Sequence, residues 1–291
     1  MEGHSERGAT PLTTPLILNL APTGMVPTRV LSPKVPLQPA EIVRDVLACA
    51  ELGITIAHLH ARDEADKPTH RKDIYERIIG GIREKRPDLI LCVSCSGRGG
   101  VPLEQRSEVL TLAGDTQPDM ASLTLSSLNF VSEASVNAPE TVSTLASRMK
   151  EAGIKPELEV FDLGMANVAG HLLRRSVIEP PFYANLFFGN LSTAQARFLD
   201  IGAMVAALPP DTAWSLAGIG SAQIPISAMA AAAAHGMRIG LEDNLWLDAG
   251  RKCLAGNADL VERFHRLAEL MGRTIMPPSE LRSLLGLPLR G

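Results

Sequence analysis

Short apolar and β-branched runs alternate along this chain with longer stretches whose apolar positions recur at helical spacing, from residue 16 to about residue 272. Runs of this first kind suit buried strands, and recurrence at every third and fourth residue suits helices with one apolar face. Strands are predicted over 16–20, 54–60, 89–94, 120–125, 157–161, 183–187, 212–216 and 238–242. Helices are predicted between them, over 39–52, 71–85, 139–152, 163–177, 193–208 and 223–235, with a last one over 258–271. Eight strand–helix pairs without a sharp change of composition predict a single closed (β/α)8 barrel, the TIM-barrel class of α/β folds. An open doubly wound sheet is the alternative, weakened because no G-x-G-x-x-G follows the first strand.

The domain reading is a polar tail over 1–15, a barrel over 16–273 and an extension over 274–291. The tail carries Ser, Thr, Gly and Pro with no basic start and no apolar stretch of signal-peptide kind, so disorder is expected there. The extension is too apolar for a solvated tail and is expected to pack on a partner subunit or across the outer face of the barrel.

At 291 residues and 45% hydrophobic content, the chain can bury a large core. A net charge of −4 with no basic stripe argues against nucleic acid or an anionic membrane as partner. Cys49, Cys92, Cys95 and Cys253 are too few and scattered for a disulfide framework, which points to a reducing, cytoplasmic setting. Cys92 and Cys95 spell C-x-x-C but fall inside a predicted strand, where positions three apart face opposite ways; buried core thiols are expected rather than a metal pair. No apolar run reaches the roughly 20 residues that span a bilayer.

The chemistry gathers at predicted strand ends, where barrel enzymes carry their catalytic side chains. His58 and His60 alternate along Ala57-His58-Leu59-His60-Ala61 and so project to the same face, with Cα atoms about 6.5–7 Å apart. Two imidazoles so placed can share an ion, and Glu242 at the end of the eighth strand is the leading third ligand, giving a zinc site with an open fourth position. The plainer alternative is a pair of half-buried histidines bonded to neighbouring backbone.

Arg238, Gly240 and Glu242 share one parity, so Arg238 is expected beneath the carboxylates, with Gly240 leaving room for its guanidinium. Asp243 has the other parity, and a structural ion pair with Arg238 is a competing role for it. Glu157 and Glu159 also share a face. Glu159, nearer the top, is the candidate for proton transfer, and Glu157 is expected to support the lower layer, paired with Arg238. Ser94, Ser96, Ser126 and Ser127 lack the Gly-x-Ser-x-Gly setting of a hydrolytic nucleophile and are read as substrate binders. Gly220, in the Ala217-Gly218-Ile219-Gly220-Ser221 loop, opens a helix where barrels often hold an anion, although a tight turn alone explains its glycines.

Taken together, Asn19–Gly24, His58-Leu-His-Ala-Arg-Asp63, Ser126-Ser-Leu-Asn-Phe130, Pro156-Glu-Leu-Glu-Val-Phe-Asp162 and Gly240-Leu-Glu-Asp-Asn244 resemble the β-keto acid cleavage enzyme family, over nearly the whole length. The resemblance implies a zinc-dependent barrel, usually a homotetramer, that converts a 3-oxo acid and acetyl-CoA into acetoacetate and a new acyl-CoA. It implies His58, His60 and Glu242 as zinc ligands, Asp243 as acid/base supported by Arg238 with Ser94 nearby, and Glu159 as a later proton carrier. Ser126, Ser127 and Asn129 match substrate-binding positions. Family members acting on an amino-substituted acid carry a glutamate just after the first-strand Thr-Gly; Val26 stands near that place here, so a 3-oxo acid with a neutral or apolar tail is expected. Arg62, Arg98 and Arg106 are candidates for the coenzyme A phosphates. A metal-dependent aldolase or hydrolase that needs no coenzyme A is the competing function.

Overall fold

The structure, a computed structural model, describes residues 14–290. The tail assigned to 1–15 therefore lies outside the described residues, apart from Thr14 and Pro15. Eight parallel strands close into a barrel in chain order: β1 (Ile17–Leu20), β2 (Ile56–Leu59), β3 (Ile90–Val93), β4 (Met120–Thr124), β5 (Lys155–Val160), β6 (Phe182–Phe188), β7 (Thr212–Gly218) and β8 (Gly236–Ile239), the last pairing back onto β1. Each overlaps a predicted run, because a strand buried on both faces is apolar almost throughout, but β8 runs over Gly236–Ile239 and ends before Glu242 rather than at it.

Helices wrap the outside: α1 (Pro39–Leu52), α2 (Lys72–Arg83), α3 (Leu103–Arg106), α4 (Pro139–Glu151), α5 (Leu163–Arg174), α6 (Phe198–Ala207), α7 (Gln223–Ala233), α8 (Asn257–Leu270) and α9 (Pro278–Leu285). In α1 the buried positions are Ile42, Val46, Cys49 and Ala50, the stripe that a period of 3.6 lays against a sheet. Asp162 caps α5 by accepting the Met165 amide at 2.9 Å. Helix α6 starts at Phe198 rather than near residue 193, because Asp200 accepts the Gln195 amide and holds the preceding residues in a turn. The β3–β4 connection carries only the one-turn α3 and two short 3-10 turns, consistent with Gly99, Gly100, Pro102 and Gly114 breaking any helical run there.

The barrel interior is layered. At the N-terminal end Ile17, Ile56, Ile90, Met120 and Tyr183 form an apolar floor, and Met276, Leu281, Leu285 and Leu287 join it from below. The extension therefore closes the lower mouth, each fully buried leucine contributing roughly 1.5–3 kcal/mol. Arg282 of α9 fastens it, reaching Asp119 at 2.9 Å, and Arg83 meets the same carboxylate at 2.6 Å. Two residues along each strand the side chains again face inward, and here they are polar: Asn19, His58, Glu157, Asn185, Ser215 and Arg238, all essentially without exposure. This buried polar layer supports the upper mouth, where two small hairpins, Ala61–Arg62 with Pro68–Thr69 and Leu128–Asn129 with Ala134–Ser135, rise from β2 and β4.

Candidate metal centre

His58 of β2 and His60, the residue that follows β2, meet Glu242, which follows β8. His58 Nε2 and His60 Nε2 are 3.3 Å apart, and His60 Nε2 is 3.2 Å from Glu242 Oε1. Four ligands at about 2.0–2.1 Å in a tetrahedron lie roughly 3.3 Å from one another, so this spacing suits zinc. A second observation agrees: Glu242 Oε2 is buried and has no hydrogen-bond partner among the described residues. A divalent ion would satisfy it.

The layer beneath orients these groups. His58 Nδ1 lies 2.6 Å from Glu157 Oε2, and the other oxygen of that carboxylate accepts from Asn19 Nδ2 at 2.7 Å. With its proton on Nδ1 facing a carboxylate, His58 presents a lone pair at Nε2, the arrangement that commonly backs metal-ligating histidines. Burial pushes the Glu157 carboxyl up, but His58, Arg238 and Asn19 outweigh it and hold the pKa at about 2. The expected pairing of Glu157 with Arg238 is therefore replaced by a contact with His58. His58, Cys92 and Glu157 also converge. That group is a poor metal site, since burial and the adjoining Glu157 raise the Cys92 thiol well above its usual range and Glu157 is already bonded to His58.

Arg238 is 1% exposed and serves the carboxylates above it: Nη2 lies 2.7 Å from Glu242 Oε1, Nε 3.1 Å from Asp243 Oδ2, and Nη1 3.9 Å from Glu159 Oε1. The consequences differ. For Glu242 burial acts upward, but Arg238 and the two imidazoles prevail and keep it well below the usual carboxylate range. For Asp243 burial prevails, with the neighbouring Glu242 charge adding to it against Arg238, and the pKa rises to about 6. Burial likewise raises Glu159, whose Oε2 accepts from Thr124 Oγ1 at 2.5 Å. Two adjacent acids are thus pushed in opposite directions.

Glycines let these elements approach. Gly24 has φ +68°, and a Cβ there would sit 2.5 Å from Glu242 Cγ. Gly240 answers to a different need from the one expected: a Cβ on it would run into the Ala21 backbone carbonyl, so the residue admits β1 rather than the guanidinium. Asn257 ties the two loops together, donating to Pro22 O at 3.1 Å and Asp45 Oδ2 at 2.6 Å while accepting the Leu241 amide at 2.9 Å.

Above the centre lies a cavity of about 300 Å³ lined by His60, Ser94, Glu159, Arg238, Glu242 and Asp243 together with Val26, Phe130, Phe187 and Gly220. Phe161 stacks on Phe187 at 4.3 Å, and the Arg238 guanidinium sits 4.9 Å from the Phe187 ring centroid. Ser126, Ser127 and Asn129 do not line this cavity. They build the hairpin after β4 instead: Ser127 Oγ and Ser126 O both accept from Asn137, and Asn129 O accepts from Asn190. Leu128, Phe130 and Ser135 present the wall from that hairpin. Arg62 and Arg106 likewise leave the list of anion binders. Arg62 bonds the carbonyls of Gly24, Pro27 and Asp66, and Arg106 those of Cys95 and Val136 with the Asn137 side chain. Asn19, Thr124 and Glu157 as the His58 partner were missed in the sequence; the parity of Asn19 and Thr124 within apolar strands was the available signal.

A family profile described as beta-keto acid cleavage enzyme matches residues 15–287. The 3-oxoadipate:acetyl-CoA acetyltransferase of Cupriavidus necator is 36% identical over 282 residues, covering 95% of this chain and 96% of that one. The 3-keto-5-aminohexanoate cleavage enzyme of Fusobacterium nucleatum subsp. nucleatum is 34% identical over 273 residues, covering 94% and 98%. Among solved structures, one titled as the apo structure of ObcA superposes with a TM-score of 0.76 at 21% identity, covering 88% of this chain and 66% of that one. It shares the barrel.

Proposed function

The chain belongs to the β-keto acid cleavage enzyme family, and on that premise we propose that it is an acyltransferase exchanging acyl groups between a 3-oxo acid and acetyl-CoA, with zinc held by His58, His60 and Glu242. In the reaction the C2–C3 bond of the 3-oxo acid breaks, the acetyl carbon bonds to C2 to give acetoacetate, and the remaining acyl group leaves on the coenzyme A sulfur. The names of both relatives support a 3-oxo acid substrate, and that of the Cupriavidus necator relative supports acetyl-CoA.

The observation that carries this reading is the convergence of two imidazole nitrogens and a half-satisfied carboxylate on one point at the base of the cavity. A divalent ion there supplies Lewis acidity to the keto group. Asp243, tethered by Arg238 and titrating near neutrality, takes the proton from C2. Arg238 keeps Glu242 ionised and fixes the Asp243 carboxylate in the wall of the cavity. Glu159, protonated more readily than an exposed acid, returns a proton when the C–C bond has broken. Phe161, Phe187 and Ile219 supply apolar wall to this cavity.

The chain exposes Leu191, Phe198 and Leu199 at 74%, 80% and 82% around the start of α6, which supports self-association. The test of function is mass analysis of products from enzyme, acetyl-CoA and a panel of 3-oxo acids. Acetoacetate and a new acyl-CoA are expected, both lost on chelation, with Asp243→Asn slower by roughly 10²–10⁴-fold. Cleavage that proceeds without acetyl-CoA would instead establish an aldolase or hydrolase.

A further inference from the structure

Arg98 follows β3 at the upper mouth and lines the same cavity as His60, Glu242 and Asp243. Its side chain is only 14% exposed, and its guanidinium carbon lies 3.5 Å from the centroid of Phe130. Stacking on the ring leaves the N–H groups at the guanidinium edge free to donate. Among the described residues they make no hydrogen bond. The acid in ion-pair range, Glu133, is 40% exposed and 3.7 Å away, beyond hydrogen-bonding distance, and Glu242, Glu159 and Asp243 act on the guanidinium from farther off. The backbone, by contrast, is fixed: the Arg98 amide donates to Ser96 Oγ at 3.2 Å, and the residue bridges to Ser135.

This sets Arg98 apart from the other arginines of the mouth. Arg62 and Arg106 spend their donors on carbonyl and amide oxygens, and Arg238 engages Glu242 and Asp243 through Nη2 and Nε, with Nη1 left without a hydrogen bond. The Arg98 N–H groups line the cavity without a hydrogen-bond acceptor, and an anionic group on a ligand is the partner that a guanidinium fork fits. The same cavity is lined by Met25, Val26, Leu128 and Phe187, a surface for methylene groups. On the reaction reading above, coenzyme A would present its thioester to this cavity of about 300 Å³, with its phosphates at the far end of the pantetheine arm.

We propose that Arg98 selects a 3-oxo acid whose chain ends in a second carboxylate, binding that carboxylate while the 3-oxo end lies over His58, His60 and Glu242. The inference rests on the reaction reading above. Val26 removes a partner for an ammonium group; Arg98 adds one for an anion, so the tail is charged where Val26 alone suggested a neutral one.

The test compares zinc-loaded wild type, Arg98→Gln and Arg98→Lys on two 3-oxo acids of equal length, one ending in carboxylate and one in methyl. Wild type is expected to favour the diacid. In Arg98→Gln the ratio of kcat/KM between the two acids should fall by roughly 10–100-fold, mainly through KM for the diacid, with partial recovery in Arg98→Lys. A ratio that does not change overturns the proposal, as does a rise confined to the KM for acetyl-CoA, which would give Arg98 to the coenzyme. Calorimetry with hexanedioate and hexanoate, which do not react, separates this inference from the reaction itself. A wild-type preference for hexanedioate that Arg98→Gln abolishes upholds the Arg98 assignment even if no acid is cleaved, and equal binding of both probes refutes it even if cleavage proceeds.

Discussion

Nδ1 of His58 lies 2.6 Å from Oε2 of Glu157, two side chains from β2 and β5 that meet in the interior with 1% and 0% exposure. The contact sets which nitrogen of His58 faces the mouth. In Glu157→Gln the charge that favours a proton on Nδ1 is gone, and zinc affinity is expected to fall by about 10–100-fold. Competition with a chromophoric chelator measures this. Unchanged affinity would show that Glu157 only fills the barrel.

Gly24 and Glu242 are in close approach across the mouth. Gly24→Ala places a methyl group 2.5 Å from Glu242 Cγ at a backbone φ of +68°, so the carboxylate must swing away. Zinc content after dialysis is expected to drop well below one per chain, with the far-ultraviolet circular dichroism retained. Full occupancy would mean that Glu242 can reach the ion from another rotamer.

Asp45 offers a pH signature away from the centre. Burial raises its carboxyl to about 6, against the hydrogen bond from Asn257. The folded chain thus binds this proton more tightly than the unfolded chain does. Its contribution is present below pH about 4 and is lost as pH rises through about 6. Asp45→Asn cannot ionise, so urea titrations should show the variant gaining on wild type by about 2–3 kcal/mol between pH 4 and 7. A difference independent of pH would exclude a raised Asp45.

At the opposite end, Asp119 is 1% exposed and meets both Arg83 and Arg282. Asp119→Ala leaves two buried cations without their acid, and a loss of about 3–5 kcal/mol is expected from urea unfolding. A loss under 1 kcal/mol would indicate that α9 is held by its leucines alone.

Much of this was legible in the sequence because two periodicities are simple. Alternation in 54–60 puts His58 and His60 on one face whatever the neighbours, and apolar runs of strand length located all eight strands. Glu242 was legible as a third ligand from its place at the end of the eighth predicted strand, and the resemblance agreed, although it pairs with His60 at a sequence distance no local pattern could bridge. Partner choice was not legible. Glu157 was expected to meet Arg238, but its two oxygens are taken by His58 Nδ1 and Asn19 Nδ2, while Arg238 turns to Glu242 and Asp243. Ser126, Ser127 and Asn129 stand beside the cavity in sequence yet form the hairpin that supports its wall, since a short hairpin uses its own polar atoms for its turn. Arg62 and Arg106 could not be told from Arg98 by residue type. Only the carbonyls around the first two and their absence around the third separate a structural arginine from one free to bind.

The most direct measurement is X-ray diffraction on both sides of the zinc absorption edge, from crystals of the protein loaded with one equivalent of zinc. A single anomalous peak about 2.0–2.2 Å from His58 Nε2, His60 Nε2 and a Glu242 carboxylate oxygen is expected. A peak seated instead among His58, Cys92 and Glu157, or no ordered ion within reach of Glu242, would contradict the assignment of the centre.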